Sequence, residues 1–201
     1  MTKQQRLLKR SFDVIIAFVA CVVFLPLIIV GYLLAMISAK ASGIYTSYRV
    51  GENGKLFKIY KLRSMYVGTE DLNTLTTSND PRITKIGRWL RKFKIDELPQ
   101  LWNVLKGNMS LVGPRPDVKG YADELKGEDR IILTVKPGIT GLATIMFKNE
   151  EDMLAQQEDP YKYNRNVIWP KKVQLNKKYV RNYSFKLDIL ILLRTFFSKV
   201  E

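Results

Sequence analysis

Residues 94–116 read KIDELPQLWNVLKGNMSLVGPRP, and the interpretation of the whole chain starts from this stretch. Its apolar residues recur with the spacing of one face of an α-helix. That face comprises Leu98, Leu101, Trp102 and Leu105. The stretch therefore predicts a short amphipathic helix, followed by a rigid loop that contains two prolines.

The ends of this helix carry recognisable signals. Asp96 stands where an N-cap is expected, and Pro99 falls in the first turn, where a missing N–H is tolerated. Gly107 is a natural end. Asp96 and Glu97 then lie at a helix N-terminus, where the macrodipole favours ionised carboxylates. The simplest interpretation is that Asp96 only caps the helix and Glu97 only occupies its first turn.

A second interpretation comes from the flanking residues. The Gly-Pro-Arg-Pro loop at 113–116 is stiff and presents the donors of Arg115, and a dense basic run precedes Asp96. Arginines of this kind can hold an anionic substrate next to an ionised carboxylate. Such an arrangement suits nucleophilic attack at phosphorus.

Composition narrows the chemistry. The chain has 201 residues, 46% of them hydrophobic, and a formal charge of +14, which suits a phosphate-rich partner such as a nucleotide, anionic lipid or nucleic acid. It contains no histidine, which excludes catalysis or metal binding by that residue. Its single cysteine, Cys21, lies in an apolar run. Carboxylates remain for catalysis, with Mg²⁺ as the expected metal.

The N-terminal region predicts an association with membranes. No charged residue occurs between Val14 and Ile37, and a straight helix of that length reaches about 36 Å, enough to cross a bilayer. Pro26 lies near the middle and both flanks are basic. A spanning helix and a re-entrant helix that breaks at Pro26 are equally compatible with this pattern.

The remaining elements are predicted from local patterns. They begin with a hairpin at 48–60 around a Gly-Glu-Asn-Gly turn and a basic amphipathic helix at 80–93, whose apolar stripe ends at Phe93. A helix over 117–135 and a Pro-Gly loop at 136–143, which leads into an apolar strand-like piece, come next. A basic helix at 169–182 and an apolar helix at 185–199, capped by Ser184, complete the chain. The last helix is too short for a comfortable span, so it is either buried or interfacial, and we expect it to be partly both.

Three segments together resemble the bacterial sugar transferases known as small monotopic phosphoglycosyl transferases. They are residues 94–116, the Lys-Leu-Arg-Ser-Met segment at 61–65 and the Pro-Gly-Ile-Thr-Gly segment at 137–141. This resemblance implies an α+β, mainly helical fold. It implies a basic segment and re-entrant membrane helix over residues 1–40, and a small cytoplasmic domain over 41–201 with interfacial helices and a short hairpin.

The resemblance also implies roles for individual residues. Asp96 would attack the β-phosphate of a UDP-sugar, and Glu97 would hold Mg²⁺. The pyrophosphate and nucleotide would be bound by Lys61, Arg63, Arg82, Arg91, Pro114, Arg115, Pro116 and Lys148.

The chain departs from the family pattern at a few positions. Leu25 replaces a serine before Pro26, Lys148 replaces an arginine, and Asn176 replaces an aspartate. Lysine keeps the charge of arginine but loses its bidentate geometry. Asp188 matches a family aspartate and is equally explained as a first-turn acid favoured by the helix dipole.

The expected function is transfer of a sugar-1-phosphate from a UDP-sugar to polyprenyl phosphate at the cytoplasmic face of the bacterial inner membrane, through a covalent aspartyl intermediate and with release of UMP. The expected partners are both substrates and membrane lipid, with no nucleic acid and with a homodimer left open. Two alternatives remain: a non-catalytic, membrane-tethered module that binds anionic lipid or RNA, and a spanning transferase without a covalent intermediate.

Overall fold

The computed structural model describes residues 1–69 and 75–197, and within them the chain is mainly helical with two small sheets. The α+β, mainly helical class is confirmed. The helices and strands are α1 Lys3–Ala39, β1 Ile44–Val50, β2 Leu56–Leu62, α2 Lys85–Lys92, α3 Gln100–Lys106, β3 Ser110–Val112, β4 Gly138–Thr140, α4 Leu142–Met146, α5 Glu150–Ala155, α6 Pro160–Tyr163, α7 Trp169–Arg181 and α8 Phe185–Phe197.

The long helix α1 begins at a capping box, in which Thr2 and Gln5 exchange side-chain and backbone hydrogen bonds, and ends at Lys40 in the left-handed conformation. Among the described residues it is the one helix that is long and apolar enough to cross a membrane. Helical structure continues through Pro26. The predicted break there is therefore not seen in the helix assignment, and the path of α1 relative to a bilayer stays a prediction, as does the domain division at residue 40.

Both parts of α1 contact the rest of the protein. Before Pro26, Ala17 belongs to the main hydrophobic core with Leu101 and Val104 of α3. After Pro26, Ala35 packs in a second cluster that contains Leu62 and Leu90. The large apolar side chains between these two contact points are mostly exposed.

Strands β1 and β2 form the predicted antiparallel hairpin, which is longer than its sequence signal. The register pairs Ile44 with Leu62 and Val50 with Leu56. Asn103 of α3 is fully buried and fastens the hairpin to the helix. Its Oδ1 accepts from the Tyr60 N–H at 3.1 Å, and its Nδ2 donates to the Lys58 carbonyl at 2.7 Å. This contact fixes β2 against the segment that carries Asp96 and Glu97.

The short parallel pair β3–β4 holds the loop that follows β3. Ser110 pairs with Gly138 and Val112 with Thr140. The two chains come so close at Gly138 that a Cβ atom there would lie 2.1 Å from the backbone nitrogen of Gly113. The strand-like piece predicted in this segment is confirmed at Gly138–Thr140, whereas Leu142 and Ala143 belong to helix α4. Glycine is required at position 138 because the two backbones meet there.

The buried face of helix α3 differs from the predicted one. It begins at Gln100 and ends at Gly107 with φ 84°, so the predicted end is confirmed. Its buried residues are Gln100, Leu101, Asn103 and Val104. Trp102 is 52% exposed, so its assignment to the buried stripe was wrong. The polar Asn103 takes a core position because it satisfies two backbone groups of β2.

Two further predictions need correction. Residues 117–135 form no α-helix; they contain 3₁₀ turns at Ala122–Glu124 and Gly127–Thr134. Glycines with positive φ stand before the first turn, at Gly120, and at the start of the second, at Gly127. Helix α2 begins after Thr84, whose Oγ1 accepts from the Gly87 N–H at 2.8 Å, rather than near Asp80. Phe93 was predicted to be buried but is 56% exposed; it follows the last residue of this short helix, and its ring contacts that of Trp89 in a tilted arrangement.

The two C-terminal helices agree with their signals. Helix α7 occupies Trp169–Arg181, and Ser184 caps α8 by accepting from the Leu187 N–H at 3.1 Å. On α8, Ile191 is fully buried whereas Phe196 is 77% exposed. The helix therefore has one buried face and one exposed face, in line with the expectation that it is partly buried and partly interfacial.

Candidate active site

Asp96 and Glu97 lie in a single 3₁₀ turn, Ile95–Glu97, immediately before α3. Lys94 enters this turn with φ 55°, and both carboxylates are buried, with exposed fractions of 4% and 9%. The prediction that Asp96 caps the helix is wrong. The residue at the cap position of α3 is Pro99, and no side chain accepts a hydrogen bond there. A tight turn, rather than the helix dipole alone, presents the acidic pair.

The Asp96 carboxyl group has a buried oxygen, Oδ1, without a hydrogen-bond partner in the described protein. Burial and the neighbouring charge of Glu97 raise the pKa of Asp96, while Lys61, Arg91 and Lys94 act in the opposite direction. A buried, unpartnered carboxylate oxygen is costly to fold and is typical of a functional position.

Glu97 lies in the opposite environment. Its Oε1 accepts from Lys61 Nζ at 2.9 Å and from Arg115 at 2.5 Å, and its Oε2 accepts from Arg115 at 3.3 Å. Burial opposes ionisation, but the charges of Arg115 and Lys61 hold the pKa of Glu97 well below its ordinary value. Two adjacent carboxyl groups with pKa values shifted in opposite directions are suited to different chemical tasks.

The predicted cations fall into two groups. Lys61 and Arg115 contact the acidic pair directly. Arg91 is held by Glu151 and by Ser64, 3.5 Å away, and its charge reaches Asp96.

The other two arginines are held by neighbouring groups. Arg82 pairs with Asp80 at 2.6 Å and donates to the Leu75 carbonyl. Arg63 donates to the Ser42 carbonyl at 2.9 Å and lies over the ring of Tyr45. Substrate contacts of these two arginines stay predictions.

The remaining predicted residues belong to loops. Pro114 and Pro116 are buried on either side of Arg115, and the Pro114 carbonyl accepts from the Gly138 N–H at 2.8 Å. This anchoring directs Arg115 toward Glu97. Lys148 is exposed in the turn between α4 and α5, and its predicted role in phosphate binding stays untested.

Two charged residues near the site, Arg49 and Asp117, were missed from the sequence. Arg49 lies close to Arg115, Asp117 and Glu97. Burial raises the pKa of Asp117 to about 6, against the charges of Lys172, Arg115 and Arg49. The position of Arg49 near the site could have been predicted, because alternation along a half-buried hairpin puts it on the same face as Lys61. The position of Asp117 could not, since its distance from the site depends on the fold of the 113–117 loop.

Asp188 and Asn176 lie on the C-terminal helices. Asp188 is buried and accepts from Lys9 Nζ and from the Tyr179 hydroxyl, each at 2.7 Å. It therefore joins α8 to α7 and to α1. Asn176 is buried in α7. The sequence left the role of Asp188 open, and its contacts with Lys9 and Tyr179 indicate a structural one.

The acidic pair is compatible with Mg²⁺. No group of three or more metal-ligating side chains occurs within the described ranges 1–69 and 75–197. Magnesium, however, commonly takes one or two protein carboxylates and completes its shell with water and substrate phosphates. Asp96 Oδ1 has no hydrogen-bond partner within the described protein, and Glu97 Oε2 accepts a hydrogen bond from Arg115. These oxygens fit such a site.

Comparison with known proteins agrees with this geometry. Residues 4–201 match the family model described as bacterial sugar transferase. The chain is 35% identical, over 96% of its length, to the undecaprenyl-phosphate galactose phosphotransferase of Salmonella typhimurium. It is 37% identical, also over 96%, to the UDP-glucose:undecaprenyl-phosphate glucose-1-phosphate transferase of Escherichia coli.

The relatives differ in how much of their own length this chain spans. The chain spans 40% of each of those two proteins. It is also 36% identical to the exopolysaccharide production protein ExoY of Rhizobium meliloti, covering 93% of this chain and 83% of that protein. With nearly the whole sequence matched by the family model, the chain belongs to the bacterial sugar transferase family.

Proposed function

We propose that this protein transfers a sugar-1-phosphate from a UDP-sugar to polyprenyl phosphate, such as undecaprenyl phosphate, and releases UMP. The observation that carries the proposal is the buried, unpartnered Oδ1 of Asp96 beside a Glu97 carboxylate that holds two cations. The names of the relatives, which refer to UDP-sugars and undecaprenyl phosphate, support the same reaction class.

The proposed reaction has two steps at phosphorus. In the first, Asp96 Oδ1 forms a bond to the β-phosphorus of the UDP-sugar, and the bond from that phosphorus to the bridging oxygen breaks. UMP leaves with the bridging oxygen. In the second, a phosphate oxygen of polyprenyl phosphate attacks the same phosphorus and the bond to Asp96 breaks, which regenerates the carboxylate and yields polyprenyl diphosphate sugar.

The surrounding residues supply charge stabilisation. Lys61, Arg115 and Arg91 place positive charge around the position where negative charge develops on the transferring group. Mg²⁺, held by Glu97, would offset the charge of the pyrophosphate when bound. The raised pKa of Asp96 reflects a more basic carboxylate, which is a better nucleophile once it is ionised.

We propose that α1 is re-entrant, and its contacts with the rest of the protein support this arrangement. Residues before and after Pro26 pack on one folded body, through Ala17 and Ala35. A helix with its two ends on opposite sides of a bilayer cannot make both contacts easily. A re-entrant α1, with the catalytic part at the cytoplasmic face of the bacterial inner membrane, accommodates both and brings the site to a lipid substrate.

Release of UMP is the test of this function. The purified protein in detergent is incubated with a panel of UDP-sugars, with and without polyprenyl phosphate, and UMP is quantified. The expected result is UMP release with at least one sugar, abolished in Asp96→Asn. No release from any sugar would favour the alternative of a non-catalytic module that binds anionic lipid or RNA.

A further inference from the structure

Arg49 projects from the same face of the hairpin as Lys61. The register places Arg49 opposite Phe57 and Tyr45 opposite Lys61, and directly opposed residues of antiparallel strands share a face. Positions 45, 47 and 49 alternate onto that face, and Lys61 on it reaches Glu97. Arg49 is partly buried, and its Nε donates to Ser47 Oγ at 3.3 Å.

A backbone hydrogen bond brings Arg49 to the arginine loop. The Val50 N–H donates to the Asp117 carbonyl at 2.9 Å, so the end of β1 runs beside residues 115–117. Burial and the neighbouring charge of Arg115 lower the pKa of Arg49, while Asp117 and Glu97 oppose that shift. Two guanidinium groups from different chain segments therefore lie close together in a partly buried region.

Such a pair is unfavourable without an anion. Like charges in a low-dielectric region repel, and the compensating carboxylates are limited. Glu97 already binds Lys61 and Arg115. A phosphate group, which accepts two parallel hydrogen bonds from each arginine, would relieve this repulsion.

We propose that Arg49 and Arg115 form a phosphate clamp, in which Arg49 is a substrate-binding residue of this active site. The proposal rests on the proposed function. The phosphate belongs either to the nucleotide or to the lipid acceptor, which present the same chemistry. The contrasting structural role would be that Arg49 only compensates the charge of Asp117.

The test is a binding measurement on the full chain in detergent. Arg49→Gln removes the guanidinium, Arg49→Lys keeps its charge without the fork, and Lys58→Gln is the matched control, because Lys58 is exposed on the opposite face of the same hairpin. Binding of UMP is measured by titration calorimetry, and binding of undecaprenyl phosphate by the same method in mixed micelles. Melting temperatures are recorded for every variant.

The clamp predicts that Arg49→Gln weakens binding of one of these two ligands about 10- to 100-fold, the scale of one hydrogen-bonded charge, and that Lys58→Gln binds as wild type does. Arg49→Lys should fall between them. The ligand that is affected identifies the source of the phosphate. Unchanged affinity for both ligands, with or without a lower melting temperature, would overturn the clamp.

Turnover separates this proposal from the proposed function. UMP release by the wild type is measured with the same protein. Release by the wild type, together with unchanged ligand affinity in Arg49→Gln, would remove the clamp and keep the transferase. Arg49-dependent binding without any UMP release would keep the clamp and remove the transferase.

Discussion

Asp96 and Glu97 are neighbours in the chain, but their carboxyl groups meet different surroundings. Asp96 Oδ1 is buried without a partner, whereas Glu97 binds Lys61 and Arg115. The sequence predicted both residues as functional and expected Lys61 and Arg115 nearby. It assigned Asp96 to a helix cap, because a preceding 3₁₀ turn leaves little trace in hydrophobic periodicity.

Glu97 is expected to be essential through its charge. Glu97→Gln keeps the shape of the side chain but removes the charge that balances Lys61 and Arg115 and that would hold Mg²⁺. We expect a rate loss on the order of 10²-fold or more, measured as UMP release across a range of Mg²⁺ concentrations. Exposed Glu124→Gln is the control. A near-normal rate with unchanged Mg²⁺ dependence would place the metal elsewhere.

The raised pKa of Asp117 predicts that the stability of the folded protein depends on pH. Its pKa rises from 3.8 to about 6, chiefly through burial, so the folded state binds a proton more tightly than the unfolded state. The stabilisation from this group is complete below pH 3.8 and is lost as the pH rises through about 6.

Asp117→Asn should remove that dependence. Relative to wild type, the variant should gain stability between about pH 4 and pH 7, by no more than about 3 kcal/mol for a shift of this size. Melting temperatures over this pH range measure the effect, with exposed Asp152→Asn as control. An identical pH profile for Asp117→Asn and wild type would contradict the assigned environment.

At the scale of elements, the site depends on how α3 holds the hairpin. Periodicity predicted both elements but not their contact, since Asn103 reads as a polar residue on a surface helix. In the structure it is buried and binds two backbone groups of β2. Long-range hydrogen bonds of this kind cannot be read from local pattern, and they decide which face of α3 is inside.

Asn103→Ala should therefore loosen the site as well as the fold. It leaves the Tyr60 N–H and the Lys58 carbonyl without their partner, at a cost of about 1–3 kcal/mol for each buried group. Thermal unfolding measures the loss, and exposed Asn108→Ala provides a control of the same residue type. Equal stability of the two variants would show that the two hydrogen bonds of Asn103 contribute little.

For the whole molecule, the long apolar helix was predictable from the uncharged run of residues 14–37, and the class of fold was implied by the resemblance to a known family. The 3₁₀ segments at 122–134 were not, because positive φ at the flanking glycines interrupts a charged stretch that otherwise reads as helix. The approach of Asp117 to the site was also hidden, since it is set by the packing of the 113–117 loop against β1.

The topology of α1 is tested by labelling one position before the helix and one position after it. In a Cys21→Ser background, single cysteines replace Thr2 and Thr46, which are both exposed. A re-entrant helix predicts that neither position reacts with a membrane-impermeant thiol reagent in intact spheroplasts, and that both react after permeabilisation. Labelling of one end alone from the outside would establish a spanning helix.

The central claim is that Asp96 becomes covalently bonded to the sugar phosphate. Intact-protein mass spectrometry after rapid quench, with a UDP-sugar and no lipid acceptor, tests it directly. Wild type should gain one sugar-phosphate as UMP is released, and Asp96→Asn should gain nothing while staying folded, since an amide is a poor nucleophile and the substitution removes a buried charge. Wild type that never carries the adduct, and releases UMP only when polyprenyl phosphate is present, would contradict the account and favour direct transfer.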